Sequence, residues 1–173
     1  MTRAVSDGNP VFLAVTFVQA VGVDRRYLYV RSRSYSGMHD DCEFCRIVAG
    51  ERPAYVLSEH EHTVAFLDEN PATTGHSLVV PRAHETDVLT IDESTAAAVF
   101  ETVRTVSNAL ETALEPSGFS VFHTSGPLVG TIEHAHVHLV PRFADDDVSL
   151  SLPRARLEAD EATQLRDRVR GHL

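Results

Sequence analysis

Lysine is absent from this chain of 173 residues: all 15 basic side chains are arginine, against 25 Asp and Glu, for a formal charge of −10. An acidic surface of this kind repels a phosphate backbone, which argues against sequence-independent binding to a nucleic-acid polymer but leaves room for a pocket that takes one nucleotide. Cysteine is scarce as well. Cys42 and Cys45 are the only two, in a C-x-x-C spacing too close for a routine structural disulfide, so a disulfide-stapled secreted scaffold is not indicated. No apolar run reaches the roughly 20 residues that a membrane-crossing helix needs. The nearest approach, Val11 to Val23, is interrupted by Thr16, Gln19 and Gly22. What remains is ordinary globular composition, 43% hydrophobic and 23% charged, at a length that suits one domain.

Charge divides the chain. Residues 1–38 carry five Arg and two Asp, a net of +3, which leaves −13 for residues 39–173. Two readings fit the leading part: a secretory signal, which would need a clearer cleavage context than Val18-Gln19-Ala20, or an upstream extension ahead of a start at Met38. The second is adopted here, so residues 1–38 are expected to be a poorly ordered N-terminal extension and residues 39–173 the folded domain, in the cytoplasm. Within that domain, short apolar or alternating runs at 63–67, 76–81, 119–123 and 134–140 predict strands. Ala97, Ala98, Phe100, Val103, Val106, Leu110 and Leu114 recur near helical spacing between Asp92 and Pro116, which predicts one long amphipathic helix. A charged helix is expected over about 157–170. The pattern lacks strand-helix-strand repeats, so the expected class is α+β, an antiparallel meander with a helix against it.

The chemistry concentrates at Glu133-His134-Ala135-His136-Val137-His138-Leu139-Val140-Pro141-Arg142. On a strand, His134, His136 and His138 would share one face about 7 Å apart, with Ala135, Val137 and Leu139 on the other. A neutral imidazole can attack phosphorus and form a phosphoramidate intermediate. Alternatively, imidazoles at i and i+2 can share a catalytic zinc with a third ligand. The C-x-x-C pair is either a redox couple or half of a zinc site. Should both cysteines join two histidines, that site is closed and structural, and the other histidines are left for chemistry.

These residues resemble the histidine triad (HIT) family through His134-Ala-His-Val-His-Leu-Val140. The likeness extends to Cys42-Glu-Phe-Cys-Arg-Ile-Val-Ala-Gly-Glu-Arg-Pro-Ala, Ala65-Phe-Leu-Asp-Glu-Asn-Pro and Gly75-His-Ser-Leu-Val-Val-Pro-Arg-Ala-His84. The resemblance, of Hint-like or Fhit-like type, implies an α+β half-barrel of about five antiparallel strands with a long amphipathic helix and a C-terminal helix, usually as a homodimer. It implies a nucleotide hydrolase that cleaves phosphoanhydride or phosphoramidate bonds at the α-phosphate through a nucleotidyl-histidine. Its alternatives are a nucleotidyltransferase, or a regulatory nucleotide-binding module with vestigial turnover. Carried over by position, His136 is the nucleophile, with His138 and the hydroxyl of Thr131 in support. Cys42, Cys45, His84 and His134 would hold a structural zinc. Phe44, Ile47 and Phe66 would form the wall around a purine base, and Asp68 would accept from the ribose hydroxyls. His123 stands where many members have Asn, and Val129-Gly130-Thr131 replaces their Gly-Gln-Ser/Thr run, so His123 is expected to help bind the nucleotide. His76 is expected to be structural.

Overall fold

A computed structural model describes residues 41–126, 128 and 132–173. The expected extension over 1–38 and Thr131 lie outside the described residues. In chain order the elements are α1 (Glu43–Ala49), β1 (Val56–Glu59), β2 (Thr63–Leu67), β3 (Ser77–Pro81), α2 (Glu93–Leu114), β4 (Gly118–Phe122), β5 (Val137–Arg142) and α3 (Ala159–Arg170). The strands form one open antiparallel sheet in the order β1-β2-β3-β5-β4. The α+β class is therefore as expected. The simple meander is not, because β5 inserts between β3 and β4. Burial explains the order: β5 is apolar and covered along nearly its whole length, which suits a central strand, while β4 is only half-buried and takes the edge.

Side-chain alternation divides the sheet into two faces with separate cores. Ala65, Val79, Val137 and Leu139 point to α2 and pack with its Val99, Val103, Val106 and Leu110. Each fully buried valine or leucine among them stabilises the fold by about 1.5–3 kcal/mol relative to its exposed state. Helix α2 begins where the Asp92 carboxylate accepts the Thr95 N–H at 3.0 Å and ends at Glu115, in a left-handed conformation just before Pro116. On the opposite face, Val64, Phe66, Leu78 and Val80 meet Phe44, Ile47 and Val48 of α1. That short helix starts at Cys42, whose sulfur accepts the Cys45 N–H, and stops at Gly50 with φ 77°. Helix α3 buries none of its residues against the domain. No helix among the described residues is long and apolar enough to cross a membrane.

The triad is not one continuous strand face. Pairing of β5 begins at Val137, opposite Val79, so only His138 of the three histidines lies in the ladder. The reason is that two carbonyls ahead of it are taken by imidazoles: the His134 carbonyl accepts from His136 Nδ1 at 2.6 Å, and the His136 carbonyl accepts from His123 Nδ1 at 2.8 Å. Alternation of burial nonetheless persists through the segment, since Ala135, Val137 and Leu139 all enter the α2 core.

Candidate active site and metal cluster

The four expected ligands meet where the start of α1, the loop after β3 and the segment leading into β5 come together. Cys42 Sγ lies 3.4 Å from His134 Nδ1, Cys45 Sγ lies 3.2 Å from His84 Nδ1 and 3.6 Å from His134 Nδ1, and all four ligand atoms fall within 4.8 Å of one another. Zinc with Zn–S near 2.3 Å and Zn–N near 2.05 Å in a tetrahedron requires S···N separations of about 3.5 Å, which these distances match. The tautomer fits too. His134 is fully buried, and its Nε2 lies 3.0 Å from the Pro81 carbonyl, which can only accept. Nε2 therefore carries the proton, and the Nδ1 lone pair faces the sulfurs, as is usual for a metal-bound histidine whose other nitrogen is held by a carbonyl.

Two residues further on, the tautomer is reversed. His136 is buried, and its Nδ1–H donates to the His134 carbonyl, so the lone pair sits on Nε2. Burial chiefly, with the charge of His123 adding to it, pushes its pKa below the ordinary 6.5 despite the opposing hydrogen bond to His134. The ring is thus neutral near pH 7. It borders a cleft of about 670 Å³, lined among others by Phe44, Ile47, Phe66, Asp68 and His138. Phe44 meets both His134 and His136 edge-on, at 5.8 and 5.3 Å between ring centroids.

The third histidine has its proton placed from outside the triad. The Ala72 N–H donates to His76 Nδ1 at 3.0 Å, so a neutral His76 carries its proton on Nε2, 2.9 Å from His138 Nδ1. His138 accepts there and offers Nε2–H as its donor. Its ring stacks on Phe122 at 4.6 Å, and burial first, then the His136 and His76 rings, push its pKa down to about 4. Asp68, His76 and His138 could geometrically hold a second metal ion. The Ala72 bond argues otherwise, because it puts a proton on the His76 nitrogen that would have to ligate. Asp68 lies 3.5 Å from that same nitrogen and also accepts the Asn70 N–H. Gly75 makes the turn possible. Its φ is 84°, and a Cβ there would lie 2.6 Å from Leu114 Cδ1.

The structure thus brings Phe44, Ile47, Phe66, Asp68, His136 and His138 to one cleft, and Cys42, Cys45, His84 and His134 to one cluster. His123 is placed elsewhere: it does not line the cleft but bonds to the His136 carbonyl from behind. Two residues with a part in the site were not singled out for it, His76 and Asp87. For His76 the adjoining Gly75 was the available signal. For Asp87, 36 positions from the His123 ring it bonds to, there was none.

This fold, with three alternating histidines divided between a metal cluster and a cleft, defines a histidine-triad domain. A family model described as the HIT domain matches residues 49–145, and the chain belongs to that family. It is 37% identical over 142 residues to the adenylylsulfatase HINT3 of Arabidopsis thaliana, covering 80% of this chain and 72% of that one. It is 30% identical over 102 residues to the adenosine 5'-monophosphoramidase hnt1 of Schizosaccharomyces pombe, covering 58% and 74%. Among solved structures, a zinc-bound histidine triad family protein from Mycobacterium smegmatis superposes with a TM-score of 0.60 at 30% identity, covering 75% of this chain and 90% of that one. The family and these relatives mark the chain as a nucleotide hydrolase in the broad sense.

Proposed function

We propose that the protein cleaves phosphoanhydride or phosphoramidate bonds at the α-phosphate of a purine nucleotide or dinucleotide, with His136 Nε2 as nucleophile. The observation that carries this reading is the His136 tautomer, neutral and with its lone pair on the nitrogen not bound to the backbone, beside a cleft with an apolar wall and an acceptor carboxylate. In this reading Phe44, Ile47 and Phe66 enclose the base, and Asp68 accepts from the ribose hydroxyls. Nε2 attacks the α-phosphorus and the bond to the leaving group breaks. His138 Nε2–H and the Thr131 hydroxyl donate to phosphoryl or leaving-group oxygens, and water then cleaves the nucleotidyl-histidine. The names of two relatives support a leaving sulfate or amine.

A structural zinc on Cys42, Cys45, His84 and His134 belongs to the same proposal. Bound there it would hold α1 against the segment leading into β5 and add stability rather than a reactive water, because four protein ligands leave no open position. The active unit is proposed to be residues 39–173, acting as a cytoplasmic homodimer. The test is turnover of adenosine 5'-phosphoramidate and adenylyl sulfate by the wild type and by His136→Ala. The variant should lose about 10⁴-fold in kcat while AMP binding stays within about twofold. Turnover within tenfold of wild type would sink the assignment.

A further inference from the structure

Behind the nucleophile stands a second histidine whose hydrogen bonds can be assigned from its partners alone. His123 Nδ1 lies 2.8 Å from the His136 carbonyl oxygen, and His123 Nε2 lies 3.0 Å from Asp87 Oδ1. A carbonyl has no proton to give. Nor has Asp87, whose pKa is held below the usual carboxylate range, first by the Leu89 N–H at 2.8 Å, then by the Ser125 hydroxyl, with His123 contributing. Both ring nitrogens therefore face acceptors, an arrangement that a doubly protonated ring satisfies. Only 11% of the His123 side chain and 23% of the Asp87 side chain are exposed, so the pair is largely withdrawn from water. The ring stands edge-on to His136, with 6.2 Å between centroids and 86° between planes.

We propose that the His123–Asp87 pair is a charged positioning element for the nucleophile. Asp87, on the loop between β3 and α2, fixes and charges His123. Its Nδ1–H in turn clamps the peptide that carries His136. The inference rests on the assignment of His136 made above and deepens it. A charge-assisted bond to the His136 carbonyl is stronger than one from a neutral donor. An amide at position 123 could supply a hydrogen bond, but neither the charge nor the link to Asp87.

The pair is tested with the full-length, zinc-replete protein by two readouts. Nitrogen-15 NMR of histidine-labelled protein at neutral pH should show both His123 ring nitrogens protonated in the wild type, and one deprotonated in Asp87→Asn. With adenosine 5'-phosphoramidate as probe, Asp87→Asn and His123→Asn should each lower kcat about ten- to thirtyfold, with KM and AMP affinity within about twofold. A merely structural role would lower the melting temperature and leave kcat of the folded protein intact, and that result overturns the proposal. A neutral His123 ring in the wild type overturns it equally. Failure of the hydrolase reading looks different: no wild-type turnover of the probe, with His123 still doubly protonated.

Discussion

His134 and His136 are two residues apart and both buried, yet they present opposite nitrogens. The Pro81 carbonyl takes the Nε2 proton of His134 and leaves Nδ1 for the cysteine cluster. The His134 carbonyl takes the Nδ1 proton of His136 and leaves Nε2 with its lone pair. Residue type is the same and burial is similar, so neither decides which nitrogen is available. Backbone carbonyls do. His138 extends the comparison, because its acceptor nitrogen is set by His76, whose own tautomer is set by the Ala72 N–H. Chemistry at three neighbouring histidines is thus distributed by hydrogen bonds that originate on β3, on the turn before it and in the triad's own backbone.

The contrast between the metal side and the cleft side can be broken most strongly at the metal. With zinc on Cys42, Cys45, His84 and His134 as proposed, chelation should lower the melting temperature by about 10 °C while the initial rate at 25 °C stays within about twofold. Calorimetry and an initial-rate assay on the same chelated sample check this. A rate that falls in step with metal loss, before any unfolding, would place the metal in the reaction.

The cleft side should respond to acid instead. His138 titrates at about 4 in the folded protein against an ordinary 6.5, so between these values the unfolded chain takes up a proton that the native state refuses. Stability is therefore fully present above the ordinary value and falls as pH drops through that window. His138→Gln removes this uptake. Its melting temperature should fall less steeply than that of the wild type between pH 6.5 and 4, with a residual slope from His76 and His136, whose pKa values burial also lowers. Identical slopes for the two proteins would show that His138 is not held neutral by its surroundings.

The parts of the fold that were legible in sequence are those with several periods of pattern. Strands β2 and β3 and helix α2 appear within a residue of where alternation, the Asp92 cap and Pro116 put them. Helix α1 has seven residues and starts from a cysteine cap, a signal absorbed by the metal reading of the same Cys42. Strand β1 has four residues on an exposed edge, too few for alternation to stand out. The start of β5 was misplaced because the His136 carbonyl is taken by His123, a partner from beyond the end of β4 that alternation cannot reveal. The proposed nucleophile, metal ligands and base wall were named through likeness to a family. The bonds that hold His76 and His123, from Ala72 and to Asp87, join residues whose places depend on turns and on register, such as Leu78 opposite His138.

The central claim, that backbone hydrogen bonds make His136 and not its neighbours the nucleophile, is tested most directly by locating the covalent intermediate. Wild-type protein mixed with adenosine 5'-phosphoramidate and quenched within one turnover should gain the mass of one adenylyl group. Peptide mapping under conditions that preserve phosphoramidates should then find that group on His136 Nε2 alone. An adduct on His134 or His138, or steady turnover with no adduct on His136, would contradict the account.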